Sequence, residues 1–337
     1  MIKLALIGAG VHGYSHAQAI AALRRAGRHV EIEIVVDPVI ARAAALADEF
    51  GVPNHGPPDL LAHASVDAVD ICTNLDAHLT IALACVELGK PTLIESPLAS
   101  TLEQAAAIIA AFTLADVPLF PGHSERFDPA LRRLRASVVD GSLGDVGVVA
   151  VHRAQGHSRA DGLSAWPYDS QPTSGRVLRL GIHDIDLACW LVNAAPVRVS
   201  SVGRRLAADR PESWASYSVQ TVFSDGALAL VTASWDVNSA EFQRLTCLAI
   251  GSIGRASHDS AHDDLVALPH PSGHAALGRA VAVRDQLAHW LDCITFGVEP
   301  VLTPDDARRS LAVALAADRS LAQSGIPVRL DEFHHGS

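Results

Sequence analysis

The chain has 337 residues, of which 49% are apolar, 19% charged and 5% aromatic, enough apolar material for two cores of ordinary size and too much for a disordered chain. Its formal net charge of −11 speaks against nucleic acid or an anionic membrane as partner, since both need clustered basic side chains, and leaves a small molecule as the expected partner. Lysine occurs only at Lys3 and Lys90, so any amine chemistry has two candidates.

The first third alternates strand and helix signals. Leu4 to Ile7 is an apolar run that ends in GAGVHG, and a helical stretch follows it to Gly27, a natural C-terminal cap. Ile32 to Val36 makes a second strand that stops at Asp37-Pro38, and Ala68 to Cys72 makes another that stops at Thr73-Asn74. Beyond it, Leu79, Ala82, Leu83 and Val86 fall at i, i+3, i+4 and i+7, one face of a helix that Gly89 closes. Thr92 to Ile94 is the next strand, and Ser100 with Glu103 reads as a capping box for the helix through Ala111. Val117 to Phe120 is one more strand, which Pro121-Gly122 should break. Strands separated by crossover helices imply a parallel sheet covered on both faces.

From about residue 123 the texture changes. A helix is expected over 129–139, followed by strands over 146–152, 197–202, 217–223, 228–234 and 245–250. Ser224-Asp225-Gly226 supplies a hairpin turn. Helical segments interrupt the strands near 181–192, 282–296 and 304–323. The expected organisation is an α/β domain with a parallel doubly wound sheet over 1–122, then an α+β domain with a largely antiparallel open sheet over 123–337. Cys72, Cys85, Cys189, Cys247 and Cys293 are scattered, odd in number and without C-x-x-C spacing, as buried free thiols in a reducing compartment would be. The start MIKLALIGAG shows no signal-peptide pattern, and no apolar run reaches the roughly 18 residues of a membrane span, so cytoplasm is the expected location.

Gly8-Ala9-Gly10-Val11-His12-Gly13 fits G-x-G-x-x-G directly after a strand and at the start of a helix. The first glycine allows a tight turn, the second lets backbone approach a pyrophosphate, and the third lets helix and strand pack closely. The helix N-terminus then offers N–H groups to the phosphates. The second strand ends in Asp37, whose carboxylate suits ribose hydroxyls and repels a 2'-phosphate, favouring NAD over NADP. The alternative is a glycine turn beside a surface aspartate.

The segments DICTNLDAHLTIALACVELGKPTLIESPLA, GHSERFDPALRRL, GSLGDVGVV, LGIHDIDLACWL and FGVEPVLTPDDARRSLAVALAADRSLAQSGIPVRL resemble the glucose-fructose oxidoreductase and inositol dehydrogenase family (Gfo/Idh/MocA), in order and over nearly the whole chain. The resemblance implies a Rossmann domain and a C-terminal domain whose open sheet faces the nicotinamide and joins subunits, as a homodimer or homotetramer. It implies cofactor contacts at Gly8, Gly10, Val11, His12 and Gly13, at Thr73, Asn74 and His78, and at Glu95, Ser96 and Pro97. For Thr73 and Asn74 a helix N-cap is the plainer reading, and the two roles are compatible.

Two positions depart from the family pattern. Its strand-end motif is usually Glu-Lys-Pro, with the lysine assisting proton transfer, whereas this chain has Glu95-Ser96-Pro97; a serine hydroxyl is shorter and uncharged. The family's Asp-x-x-x-His reads Arg179-Leu180-Gly181-Ile182-His183 here. The catalytic candidates are therefore His183, Arg179 and Ser96. His183 suits a general acid/base, since histidine's ordinary pKa lies close to working pH, and could otherwise cap or pack its helix. Arg179 could polarise a carbonyl, hold a carboxylate or phosphate, or be a surface charge.

Arg153, Trp166 and Tyr168, with His152 and His157 nearby, fall where the resemblance puts the substrate-facing strand and loop, though Trp166 could simply pack. His12 and His16 stand at i, i+4, yet no carboxylate lies nearby in the motif, so helix packing is expected and no metal. The leading expectation is an NAD(P)-dependent oxidoreductase, with NADP the less favoured cofactor, acting on a hydroxyl, carbonyl or imine of a small polar molecule, sugars and cyclitols first. The alternatives are a nucleotide-sensing protein without turnover and a non-redox enzyme that keeps NAD bound.

Overall fold

The computed structural model describes residues 1–156, 177–205, 214–237, 243–261 and 275–333. It divides into two compact units, Met1–Phe127 with Ala280–Arg308, and Asp128–Arg279 with Arg309–Ser337.

In the first unit, strands β1 (Ile2–Ile7), β2 (Val30–Val36), β3 (Asn54–Gly56), β4 (Ala68–Ile71), β5 (Thr92–Glu95) and β6 (Leu119–Gly122) form one parallel sheet in the order β3-β2-β1-β4-β5-β6. Helices α1 (Val11–Arg25), α2 (Ile40–Phe50), α3 (His78–Glu87) and α4 (Leu102–Leu114) make the crossovers. Leu4, Ala5, Leu6, Val69 and Ile94 are wholly buried, as central strands covered on both faces must be. The strand order reverses between β1 and β4, the crevice where open α/β sheets hold ligands at their carboxyl ends.

Several local expectations shift. The cap of α4 is Thr101, whose hydroxyl accepts from Gln104 N at 3.2 Å, while Ser100 N donates to the Gln104 side chain; the Ser100–Glu103 box is thus displaced by one residue, because Thr101 and Gln104 fit the same spacing. The buried stripe of α3 runs through His78, Ala82 and Cys85, with Leu83 exposed. That helix is apolar nearly all round, so its period does not choose a face. Strand β6 continues through Pro121 and Gly122, paired with Ile94 and Glu95. It is the edge strand, where a missing N–H is tolerated.

Residues 280–308, read from sequence as part of the second domain, pack into the first unit. Helix α7 (Ala275–Phe296) brings Val283, Leu287, Trp290 and Leu291 into the apolar cluster of Leu4, Leu6, Ile20 and Phe120. Arg28 pairs bidentately with Asp292 at 2.7 and 2.9 Å.

The second unit holds helix α5 (Pro129–Val139), capped by the Asp128 carboxylate, strand β7 (Val146–Gly156), and a π-helical turn (Val177–Gly181) that runs into α6 (Ile182–Val192). Then come β8 (Pro196–Arg205), β9 (Trp214–Phe223), β10 (Leu228–Val237), β11 (Gln243–Gly251) and β12 (Arg255–Asp259). Helix α8 (Pro304–Ala322), β13 (Val328–Arg329) and α9 (Leu330–Phe333) follow. The sheet runs β12-β11-β7-β10-β9-β8-β13, antiparallel except for the parallel β7–β10 pair. Gly226, at φ +89°, turns the β9–β10 hairpin as the SDG signal anticipates. One face buries Val149, Val151, Val219, Val231 and Ala249; the other exposes Val202, Leu230 and Ile250.

Candidate functional site

Three strand ends of the first unit carry the candidate cofactor residues. Gly8 takes φ +103°, and a Cβ there would strike the Cys72 carbonyl; a Cβ on Gly13 would strike the Gly8 carbonyl. A Cβ on Gly10 would meet no protein atom within 4 Å. The outer two glycines are therefore demanded by the fold, while the backbone at Gly10 is open, as the close approach of a pyrophosphate would require. Gly10 is the N-cap of α1, with no side-chain cap and no acid in the first turn, which suits an anion at that terminus. Val11 is exposed and His12 half-buried at the same turn. These residues fit the diphosphate of a dinucleotide.

Asp37, at the end of β2, is buried. Its carboxylate accepts from Ala9 N at 2.8 Å and from Val39 N at 2.7 Å, so it ties the glycine loop to the second strand. Beyond β4, Thr73 is half-buried and Asn74 exposed. Asn74 stands at the N-cap of the 3-10 turn Leu75–Ala77 without a side-chain cap bond, so the plain capping reading is not what its side chain does.

His78 is buried, with Nδ1 3.0 Å from Pro97 O and Nε2 3.3 Å from Thr73 O. Burial lowers its pKa, against the three carbonyls around it. It thus links the ends of β4 and β5. Glu95 closes β5, Ser96 is half-buried after it, and the Ser96–Pro97 peptide is cis.

His16 is a feature that motif reading misses. It is 1% exposed, and carboxylates do reach it: Asp70 Oδ2 lies 2.8 Å from Nδ1 and Glu95 Oε1 lies 2.9 Å from Nε2. The partners come from 54 and 79 positions away, beyond any local pattern. Donor atoms of His16, Asp70 and Cys72 gather within 4.8 Å, but both ring nitrogens are already engaged by carboxylates, and burial pushes the Cys72 thiol far up. The set is a hydrogen-bonded network.

In the second unit, Arg179 sits half-buried in the π-helical turn and His183, also half-buried, in the first turn of α6. Gly181 lies between them against the Tyr217 hydroxyl of β9, where a Cβ has no room. Arg153, on the helix-covered face of β7, binds the wholly buried Asp184 beside His183, while His152 is exposed on the other face. Asp186, also wholly buried, accepts from Ser310 Oγ at 2.8 Å. Asp318 of α8 accepts from Leu178 N at 3.1 Å, securing the π turn. Asp184, Asp186 and Asp318 escape sequence reading; the signal is acids set on otherwise apolar helix faces. Trp166 and Tyr168, with His157, lie outside the described residues.

Comparison with known proteins gives two matches in order along the chain. Residues 2–123 match the oxidoreductase family with NAD-binding Rossmann fold, GFO_IDH_MocA, and residues 131–257 match the GFO/IDH/MocA C-terminal domain. Inositol 2-dehydrogenase 1 of Saccharopolyspora erythraea is 29% identical over 98% of this chain and 96% of its own. The scyllo-inositol 2-dehydrogenase (NAD(+)) of Bacillus subtilis is 26% identical over 98% and 96%. The solved structure of scyllo-inositol dehydrogenase from Lactobacillus casei, with NAD(H) and scyllo-inositol, superposes with a TM-score of 0.84 over 98% of this chain and 99% of that one, at 21% identity, a likeness of fold. With both units matched by the paired domains of a single family, the chain belongs to the GFO/IDH/MocA oxidoreductases and carries that family's NAD-binding Rossmann fold.

Proposed function

We propose that the protein is an NAD-dependent dehydrogenase that interconverts a secondary hydroxyl and a carbonyl on a small polyhydroxylated ring, cyclitols before sugars. The observation that carries this reading is the glycine loop: crowded at Gly8 and Gly13, open at Gly10 and tied to the Asp37 carboxylate. The relatives named for inositol oxidation, matched along almost their full lengths, support the substrate class.

Bound NAD supplies the hydride acceptor. In the oxidative direction the substrate carbon gives up its hydride, the C=O bond forms, and the hydroxyl proton has to be taken by the protein. His183 takes it as general base. Ser96 donates to a ribose or substrate hydroxyl without carrying charge. Arg179 stabilises developing negative charge on the substrate oxygen. Asp37 accepts from the adenosine ribose, with remaining lone pairs of the oxygens that hold Ala9 and Val39.

The exposed apolar face of the second sheet, with Val202, Leu230 and Ile250, supports a dimer or tetramer built on that face. Five buried free cysteines support a reducing, cytoplasmic setting, and among the described residues no helix is long and apolar enough to cross a membrane. The reading is tested by calorimetric titration of NAD, NADH, NADP and NADPH, then by hydride-transfer assays over inositol isomers, sugars and oxo-acids. NAD(H) binding with turnover that His183→Ala abolishes supports it. Tight binding without turnover would favour a nucleotide-sensing protein, the reading that Ser96 and Arg179 keep open. No nicotinamide nucleotide binding would sink both.

A further inference from the structure

We infer that His16 is a buried imidazolium that positions the strand-end Glu95–Ser96 pair through a carboxylate on each ring nitrogen. Each of its contacts, 2.8 Å to Asp70 and 2.9 Å to Glu95, needs a hydrogen between nitrogen and oxygen, and a neutral imidazole carries only one. The remaining carboxylate oxygens are acceptors too: Asp70 Oδ1 lies 3.5 Å from the Cys72 thiol and Glu95 Oε2 lies 3.0 Å from Ser96 N. With every carboxylate oxygen accepting, the extra proton belongs on the ring. Asp70 and Cys72, from β4 and the residue after it, and Glu95, from β5, are the titratable groups that face His16. Burial acts to lower the His16 pKa, but Asp70, with Cys72 beside it, outweighs burial and holds the ring well above its ordinary value.

The clamp acts on the strand end because Glu95 bridges it. One Glu95 oxygen takes the His16 ring and the other takes the Ser96 N–H. The backbone of β6 closes the third side, since a Cβ on Gly122 would stand 3.0 Å from Glu95 Cα and 3.4 Å from its carboxyl carbon. Past the cis bond, the second buried histidine, His78, holds Pro97 O. The Ser96 segment is thus fixed from both sides by buried histidines. His16 also stands on α1, the helix that begins at the glycine loop, so one ring joins that helix to the ends of two strands.

The inference rests on the proposed function at one point, that Ser96 stands beside the nicotinamide. Nitrogen-15 spectra of the histidine rings, with His16 assigned by His16→Gln, test the clamp independently of that point. Near pH 8 both His16 nitrogens carry protons in the wild type. In Glu95→Gln the amide donates to Nε2, and the ring becomes neutral with Nδ1–H on Asp70. A wild-type ring with a bare nitrogen at that pH overturns the inference.

Turnover supplies the second arm. His16→Gln sets an amide oxygen against a carboxylate and lowers kcat about tenfold or more, with the KM for NAD changed by less than about threefold. The double variant His16→Gln, Glu95→Gln restores a complete chain of donors and acceptors and recovers much of that loss. A double variant no faster than His16→Gln overturns the positioning role. Doubly protonated His16 in a protein without NAD-dependent turnover would leave the clamp standing and remove the proposed function.

Discussion

Arg153 and Asp184 form a fork in the second unit: Nε lies 2.9 Å from both carboxylate oxygens and Nη2 lies 2.6 Å from Oδ1, with Asp184 wholly buried. The pair joins β7 to the first turn of α6, one residue from His183. Removing one partner strands a buried charge, which typically costs about 3–5 kcal/mol. Arg153→Leu is therefore expected to lower the urea midpoint strongly, and Arg153→Leu with Asp184→Asn to recover part of the loss. A single variant as stable as the wild type would show that the pair carries little.

The glycine loop separates folding from binding. Gly13→Ala places a methyl group on the Gly8 carbonyl and should destabilise by about 1–3 kcal/mol. Gly10→Ala meets no protein atom within 4 Å and should stay within about 0.5 kcal/mol of the wild type. Yet on the proposed reading Gly10→Ala puts its methyl group in the path of the pyrophosphate, and its NADH affinity should fall about tenfold or more. Thermal melting and NADH fluorescence titration on the two variants check both halves. Unchanged affinity in Gly10→Ala removes that glycine from the phosphate site.

Asp37 holds the glycine loop, and the proposed function gives it a second role at the adenosine ribose that one substitution can test. Asp37→Ala leaves the Ala9 and Val39 N–H groups without their acceptor, a loss of about 1–3 kcal/mol. On the proposed reading it also removes the charge that would repel a 2'-phosphate. Calorimetry should show NAD affinity falling and the ratio of NADP to NAD affinity rising. A ratio that does not move would mean that Asp37 serves the loop alone.

The parallel sheet and glycine loop are legible in the sequence because each central strand is a continuous apolar run ended by a turn residue, a local signal. Strand β3, Asn54-His55-Gly56, carries no such run and exists because β2 offers it hydrogen bonds; the two-residue β13 depends likewise on β8. The sequence marks α7 as a helix without saying which core it enters. Trp290 enters that of Leu4 and Leu6. His16 meets partners 54 and 79 positions away, and Arg153 meets one 31 positions away. Nothing in the spacing of either residue announces a pair that only the fold creates.

Asp318 gives the stability a pH dependence whose sign can be worked out. Burial raises its pKa from 3.8 to about 6, against the lowering effect of the Leu178 and Val177 N–H groups. The folded-state pKa thus lies above the unfolded one, so the folded protein holds this proton more tightly. The resulting stability is fully present below about pH 4 and is lost as pH rises through about 6. A two-unit difference corresponds to about 3 kcal/mol at full effect. Asp318→Asn does not titrate, yet its amide oxygen can still accept from Leu178. Urea denaturation from about pH 4 to pH 7 should show the wild type losing stability relative to this variant by about that amount. A flat difference across the range would mean that the carboxyl ionises in the folded protein as it does in the unfolded chain. The carboxylate form is the stronger acceptor for the turn that carries Arg179, so the ion that costs stability above pH 6 also holds that guanidinium's backbone most firmly.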